Sequence, residues 1–424
     1  MQTICVPYGK GTMEASFPDD VLVNVVDPPC VQQPAPLEEL IQNALDHPIG
    51  TEPLEQMAHP ALRYTIVVND HTRPGPCAPL VQAVVQRLER AGVPDENITF
   101  LIATGSHRAS TPEELNRILG EELHRRIRIV MHQCDDRASM VYLGKTCYDM
   151  PIWVNRAVVE TDFVITTGLI APHHSAGFSG GRKSIVPGVA GLETLKIHHS
   201  LPIRQFEPAM GNYEHNPFHL AALEAAKKTN VRFILNVVQD PHKTNVACVA
   251  GDLDEAHQTG VEICRRVNTI EFEGAGDIVI ASPGGFPRDS TLYQAQKALS
   301  VAEVLANPSG ATLILCARGE DGYGEGLFRQ WMMEAKTPEE VIERYRAEGF
   351  NVGNNKAFMF ARALTKGRVV IVSDHLKKED LNEMMLDWAP NLQTAIDEAM
   401  AQSTPRRVIV LPSAVNVIPV IQKA

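Results

Sequence analysis

Apolar runs of strand length alternate with segments of helical spacing along most of the chain, and this rhythm restricts the possible folds more than any single motif. RYTIVVND (63–70) reads as a buried strand, and PLVQAVVQRLERAG (79–92) has helical spacing and stops at a glycine. ITFLIATG (98–105) is the next strand, and TPEELNRILG (111–120) opens a helix with a Thr-x-x-Glu capping box. RIRIVM, DFVITTG (162–168), NPFHLAALEAAKK and VRFILNVVQ continue the alternation. A second series follows EGAGD: the strand DIVIASPGG (277–285), the helix within RDSTLYQAQKALSVAEVL, then ATLILCARG, RVVIVSDH and RRVIVLPSA with helices between them. The pattern predicts an α/β protein of two α/β domains with largely parallel sheets. A short hinge near residues 268–276 is the expected boundary, giving domains 1–270 and 271–424. The terminal NVIPVIQKA is expected to fold back on one of them.

Composition narrows the function classes. A chain of 424 residues with 44% hydrophobic residues has material for at least two cores. Its net charge of -12 and lack of a basic tract argue against a nucleic-acid partner. No apolar run approaches the roughly 18 residues of a membrane span, and the first residues lack a secretory layout, so a cytoplasmic location is expected. The eight cysteines are spread singly with no CxxC pair, which fits reduced thiols and gives no zinc pattern.

In open α/β sheets, ligands bind beyond the carboxyl ends of the strands. Four loops stand there: DHTRP (70–74), GSHR (105–108), HHSAGFSGGRKSIVPGVAG (173–191) and PGG (283–285). GFSGGRKS nearly spells the phosphate-binding G-x-x-x-x-G-K-[ST], but Arg182 stands where the second glycine belongs. Pro187 and Gly188 follow within five residues of Lys183, where a nucleotide loop runs into a long helix. The loop suits a phosphate-bearing cofactor without ATP hydrolysis, since glycines admit close backbone approach and successive N–H groups cradle anions. Lys183 is either a surface lysine or a partly desolvated amine able to act as a covalent anchor. His173 and His174 close a strand and His198 and His199 close a helix. Both pairs are either structural or poised for metal binding and proton transfer, and neither fits a known zinc spacing. Asp70, His71, Thr72 and Arg73 form either a turn or a carboxylate- or phosphate-binding segment. His107 is placed as a general base. Gln294 and Lys297, with Tyr293 beside them, share one helical face, which either is solvated or faces a ligand.

In order and spacing, DHTRP, GSHR, PHHSAGFSGGRKSIVPGVAGLETLKIHHS and the YQAQK helix resemble the nickel-dependent lactate racemases and their 2-hydroxyacid racemase relatives over nearly the whole chain. The resemblance implies a nickel pincer nucleotide, a pyridinium mononucleotide holding nickel through two sulfurs and a ring carbon. It implies that Lys183 tethers the cofactor covalently and that His199 is the protein's nickel ligand. His107 and His173 become the acid/base pair. Asp70, His71, Thr72 and Arg73 become contacts to cofactor, with Arg73 also reaching substrate. Tyr293, Gln294 and Lys297 become substrate contacts. The implied reaction is racemisation or epimerisation at C2 of a 2-hydroxyacid by reversible hydride transfer, through a planar 2-oxoacid, in an interdomain cleft of a cofactor-binding N-terminal domain. Cofactor-making enzymes are implied as transient partners, and a homo-oligomer is possible.

Two other classes stay open at this stage. A NAD-dependent dehydrogenase would need a G-x-G-x-x-G fingerprint, and the chain has none. A non-catalytic binder of the nickel cofactor would tolerate loss of His107 or His173. Within the racemase reading, lactate, malate, longer or aromatic hydroxyacids and sugar acids all suit the same core.

Overall fold

The structure is a computed structural model that describes every residue except 27, 29–33, 74, 403, 404, 423 and 424. The chain divides into two compact units, Cys30–Val267 and Met1–Pro29 with Asn268–Ala424. Both carry a six-stranded sheet.

In the first unit the sheet runs Asn245–Gly251, Val231–Gln239, Phe163–Ile170, Tyr64–Asn69, Ile98–Ala103, Arg128–Met131. All neighbours are parallel except the pair formed by Asn245–Gly251 and Val231–Gln239. The chain begins in the middle, at Tyr64–Asn69. It steps one way to Ile98–Ala103 and Arg128–Met131, then returns to the other side of its first strand at Phe163–Ile170. That reversal leaves a crevice at the carboxyl ends of Tyr64–Asn69 and Phe163–Ile170, where doubly wound sheets bind ligands.

All eight residues of Phe163–Ile170 are buried, which explains an uninterrupted apolar run where a half-exposed strand would alternate. Adjacent residues feed opposite faces. Ile66 and Val68 join Phe100 and the helix Cys77–Arg90 in one core, while Val67 joins Leu101, Val164 and the helix Pro217–Lys227 in the other. The expected capping box is formed: Thr111 Oγ1 accepts from the Glu114 N–H, and Glu114 Oε2 accepts from the Thr111 N–H at 2.8 Å.

The second unit's sheet is parallel throughout, in the order Asp387–Ala389, Gly367–Val372, Ala311–Cys316, Ile278–Ala281, Arg407–Leu411, Leu22–Val25. Residues 1–29, expected with the N-terminal domain, belong to this unit. Leu22–Val25 pairs with Arg407–Leu411, and the hairpin of Gln2–Tyr8 and Gly11–Phe17 sends Ile4, Val6 and Phe17 into the core that holds Ile278 and Val408. A four-residue strand has no period of its own to announce a partner nearly 400 residues away. The terminal segment pairs through Ile418–Ile421 with Thr269–Phe272, inside the same unit. Among the described residues, no helix is long and apolar enough to cross a membrane.

Candidate active site

Asp70 follows directly on the central strand Tyr64–Asn69, and its side chain has no exposed surface. A buried carboxylate needs hydrogen-bond donors. Thr72 Oγ1 donates to Oδ1 at 2.8 Å, and His107 Nδ1–H donates to Oδ2 at 2.7 Å. Burial pushes the Asp70 carboxyl up, but the hydrogen bond and charge of His107, the Thr72 hydroxyl and the Arg73 charge together leave it below the usual range. The carboxylate is ionised and can only accept, so the shared proton sits on His107 Nδ1 and the lone pair on Nε2. His107 remains 40% exposed, open to a ligand from that side.

The rest of the DHTRP segment divides. Arg73 is exposed and forms no ion pair with a described residue. His71 turns away from Asp70: its Nδ1 lies 3.1 Å from Ser110 Oγ and 3.5 Å from Glu114, so it braces the loop ahead of the helix Pro112–Leu119. Pro74 lies outside the described residues.

The 173–191 loop leaves the neighbouring strand Phe163–Ile170. Pro172–His173 and Gly177–Phe178 form a short antiparallel pair, and Gly181–Ser184 makes one tight helical turn that does not continue. The next helix, Leu192–His199, starts only after the Pro187–Gly188 turn, which excludes the helix of a nucleotide-hydrolysing loop. The glycines serve a different purpose from the one the sequence suggests. A Cβ on Gly180 (φ 80°) would stand 2.7 Å from Ile170 Cγ1, and one on Gly181 (φ 51°) would stand 2.7 Å from the His257 ring. They press the loop onto the sheet end and open no cradle there.

Arg182 is fully buried. It donates to the carbonyls of Gly180 (3.3 Å) and Ala176 (2.9 Å) and lies 3.1 Å from His257 Nε2. Burial lowers it to about 10. It is a strut of the loop, and its neighbour Lys183 is half-buried. The Gly105 N–H donates to the Gly188 carbonyl at 2.9 Å, which ties the His107 loop to the Lys183 loop.

The members of the two histidine pairs differ in their hydrogen-bond partners. His173 Nδ1 accepts from the N–H groups of Ser175 and Ala176, both at 3.1 Å, and its ring stacks on His174 at 4.6 Å. His198 is a core residue: its Nε2–H donates to the Phe218 carbonyl at 2.8 Å, and burial drives it down to about 3. His199 Nδ1–H donates to the Leu195 carbonyl at 3.1 Å, which puts its lone pair on Nε2. Desolvation, then the charges of His198, Arg204 and Lys183, push His199 well below the usual histidine value.

The profile of the lactate racemase N-terminal domain matches residues 8–211, and that of the lactate racemase C-terminal domain matches residues 272–419. The lactate racemase of Lactiplantibacillus plantarum is 33% identical, with 99% of this chain and all of that protein covered. The lactate racemase of Thermoanaerobacterium thermosaccharolyticum is 32% identical, with 99% of both covered. The solved lactate racemase apoprotein from the latter organism superposes with a TM-score of 0.92 over the whole of both chains, at 31% identity.

The chain belongs to the lactate racemase family. It is an isomerase, and its two-unit α/β frame is that of the racemase apoprotein. The remaining predicted site residues of this racemase lie in the second unit, on the helix Leu292–Ala302, which follows the loop at the carboxyl end of Ile278–Ala281. Lys297 Nζ donates to Gln294 Oε1 at 3.4 Å, Gln294 is exposed, and the Tyr293 ring packs against Phe328. Sequence reasoning missed the roles of Asp70 as the partner of His107 and of Arg182 as a strut. Contacts across 37 and 75 residues leave no local signal.

The donor set fits a metal that brings its own ligands. Among the described residues, no group of three or more His, Cys, Asp or Glu could hold a metal ion. His199 presents one neutral imidazole nitrogen, so a metal placed there takes its other donors from a cofactor.

Proposed function

We propose that this racemase interconverts the enantiomers of lactate, or of a closely related 2-hydroxyacid, with a nickel pincer nucleotide held by Lys183 and His199. The observation that carries the reading is the pairing of buried Asp70 with part-exposed His107 at the sheet's switch point, on a chain alike to lactate racemases from end to end. When bound, the pincer nucleotide supplies a hydride acceptor for the C2 hydrogen, which is hard to remove as a proton beside a carboxylate.

The chain's own residues do the rest. His107 Nε2 receives the hydroxyl proton, and the Asp70 carboxylate stabilises the imidazolium that results. His173 serves the hydroxyl when it lies on the other side. Arg73, exposed and without an ion-pair partner among the described residues, holds the substrate carboxylate with its planar fork. Lys183 would hold the cofactor through its side-chain amine, and His199 Nε2 would supply the protein's ligand to nickel. Tyr293, Gln294 and Lys297 are assigned to the substrate on the family resemblance alone. Malate, longer or aromatic hydroxyacids and sugar acids share the reacting centre, so lactate is the first member of the class to test.

The test is to load the protein with cofactor and incubate it with a panel of single-enantiomer 2-hydroxyacids, resolving the products on a chiral column. Appearance of the opposite enantiomer of lactate supports the reading. Racemisation of another panel member only reassigns the substrate, and no change in any of them overturns the reading.

A further inference from the structure

The family resemblance makes His107 and His173 equivalent partners, one for each orientation of the substrate hydroxyl. Their hydrogen bonds are not equivalent. His107 Nδ1 faces an ionised carboxylate that can only accept, so Nδ1 carries the proton. Thr72 reinforces this, since its own hydroxyl proton is used on Asp70 Oδ1 and its oxygen stands 3.2 Å from His107 Nδ1. His173 Nδ1 faces two backbone N–H groups that can only donate, so Nδ1 carries the lone pair and Nε2 the proton.

The turn that does this is held firmly. The peptide linking Ser175 to Ala176 is gripped at both ends: its N–H points at His173 Nδ1, and its carbonyl accepts from Asn216 Nδ2 at 2.8 Å. Asn216 is fully buried and is itself fixed as the cap of the helix Pro217–Lys227. The next carbonyl, that of Ala176, accepts from buried Arg182. Protonating His173 Nδ1 would turn two accepted hydrogen bonds into two donor–donor clashes.

We propose that the two imidazoles are locked in opposite tautomers before substrate arrives, His107 as a proton acceptor at Nε2 and His173 as a hydrogen-bond donor at Nε2. The resting protein is then polar across its site. It can take a hydroxyl proton on the His107 side and can only give a hydrogen bond on the His173 side. His173 can exchange a proton with substrate only if the Ser175–Ala176 turn releases Nδ1: Nδ1 then gains a proton from solvent as Nε2 gives its own to the alkoxide, while His107 returns its proton to solvent, and the reverse shift lets His173 act as a base. Asn216 and Arg182 become positioning residues for proton transfer, although both are remote from any reacting atom. This deepens the racemase reading and rests on it for its functional consequence, while the tautomers themselves can be read without turnover.

The experiment is a long-range proton–nitrogen correlation spectrum of the full chain labelled with nitrogen-15 histidine, at neutral pH and without cofactor. His107→Gln and His173→Gln identify the two rings by the signals that disappear. The expected result is a protonated Nδ1 on His107 and a protonated Nε2 on His173. The same tautomer on both rings, or rapid averaging on His173, overturns the proposal. A loaded wild-type protein that racemises nothing would refute the racemase reading and leave the spectra unaffected.

Discussion

Asp70→Asn tests the chemistry of the site with the least change in shape. The carboxylate lies 2.7 Å from His107 Nδ1 and has no exposed surface, so its charge acts on the ring undiluted by water. An amide of the same size can turn its NH₂ toward Nδ1, which moves the ring proton to Nε2 and abolishes the acceptor. The loss is that of a general base, about 10²–10⁴-fold in kcat/KM, or roughly 3–5 kcal/mol of transition-state stabilisation. Folding should suffer much less, because His107 is 40% exposed and regains water when its partner is neutralised. The pH dependence has a definite sign. The folded value of Asp70 is depressed, so its ionisation stabilises the fold above the ordinary aspartate range, and that contribution disappears as pH falls through the lower folded value. The stability gap between wild type and variant should therefore close in acid. The assay is kcat/KM on enantiopure lactate at matched cofactor occupancy, alongside urea unfolding at several pH values. A variant within about threefold of wild type at equal occupancy would refute the role given to Asp70.

Other consequences are equally measurable. Lys183→Ala should fold normally but fail to gain the cofactor's mass in an intact-protein spectrum after loading. His199→Ala should bind nickel more weakly, seen as lower metal content after gel filtration of loaded protein, with its melting temperature nearly unchanged. Gly180→Ala forces a side chain into a left-handed position 2.7 Å from Ile170 and should cost about 1–3 kcal/mol in urea unfolding. His132 and His257 are kept neutral by burial, at about 4 and about 3. The unfolded chain binds protons at these sites below about pH 6.5 and the folded chain does not, so stability should fall with pH by up to ~1.4 kcal/mol per pH unit for each ring. Flat stability across that window would contradict the burial assigned to them.

Much of the fold was legible because the strands of a parallel sheet are buried on both faces and read as unbroken apolar runs, as Phe163–Ile170 does. The carboxyl-end rule then singled out the Asp70, His107 and His173 loops without any contact information. What stayed hidden depends on pairing at a distance. Leu22–Val25 joins a sheet whose partner strand is Arg407–Leu411, and nothing in four residues encodes that choice. The glycines of the Lys183 loop looked like room for a ligand, yet the space beside Gly180 and Gly181 is filled by Ile170, Asn236 and His257. His198 and His199 are neighbours of identical type, and only their partners, the Phe218 and Leu195 carbonyls, distinguish a core ring from a candidate ligand.

The most direct measurement uses lactate of a single configuration carrying deuterium at C2, incubated with cofactor-loaded protein in ordinary water. The account predicts the opposite enantiomer with its deuterium retained, because a hydride does not exchange with solvent while the hydroxyl proton passes through His107. Opposite enantiomer carrying hydrogen at C2 would contradict hydride transfer, and recovery of the starting enantiomer alone would contradict racemisation of lactate itself.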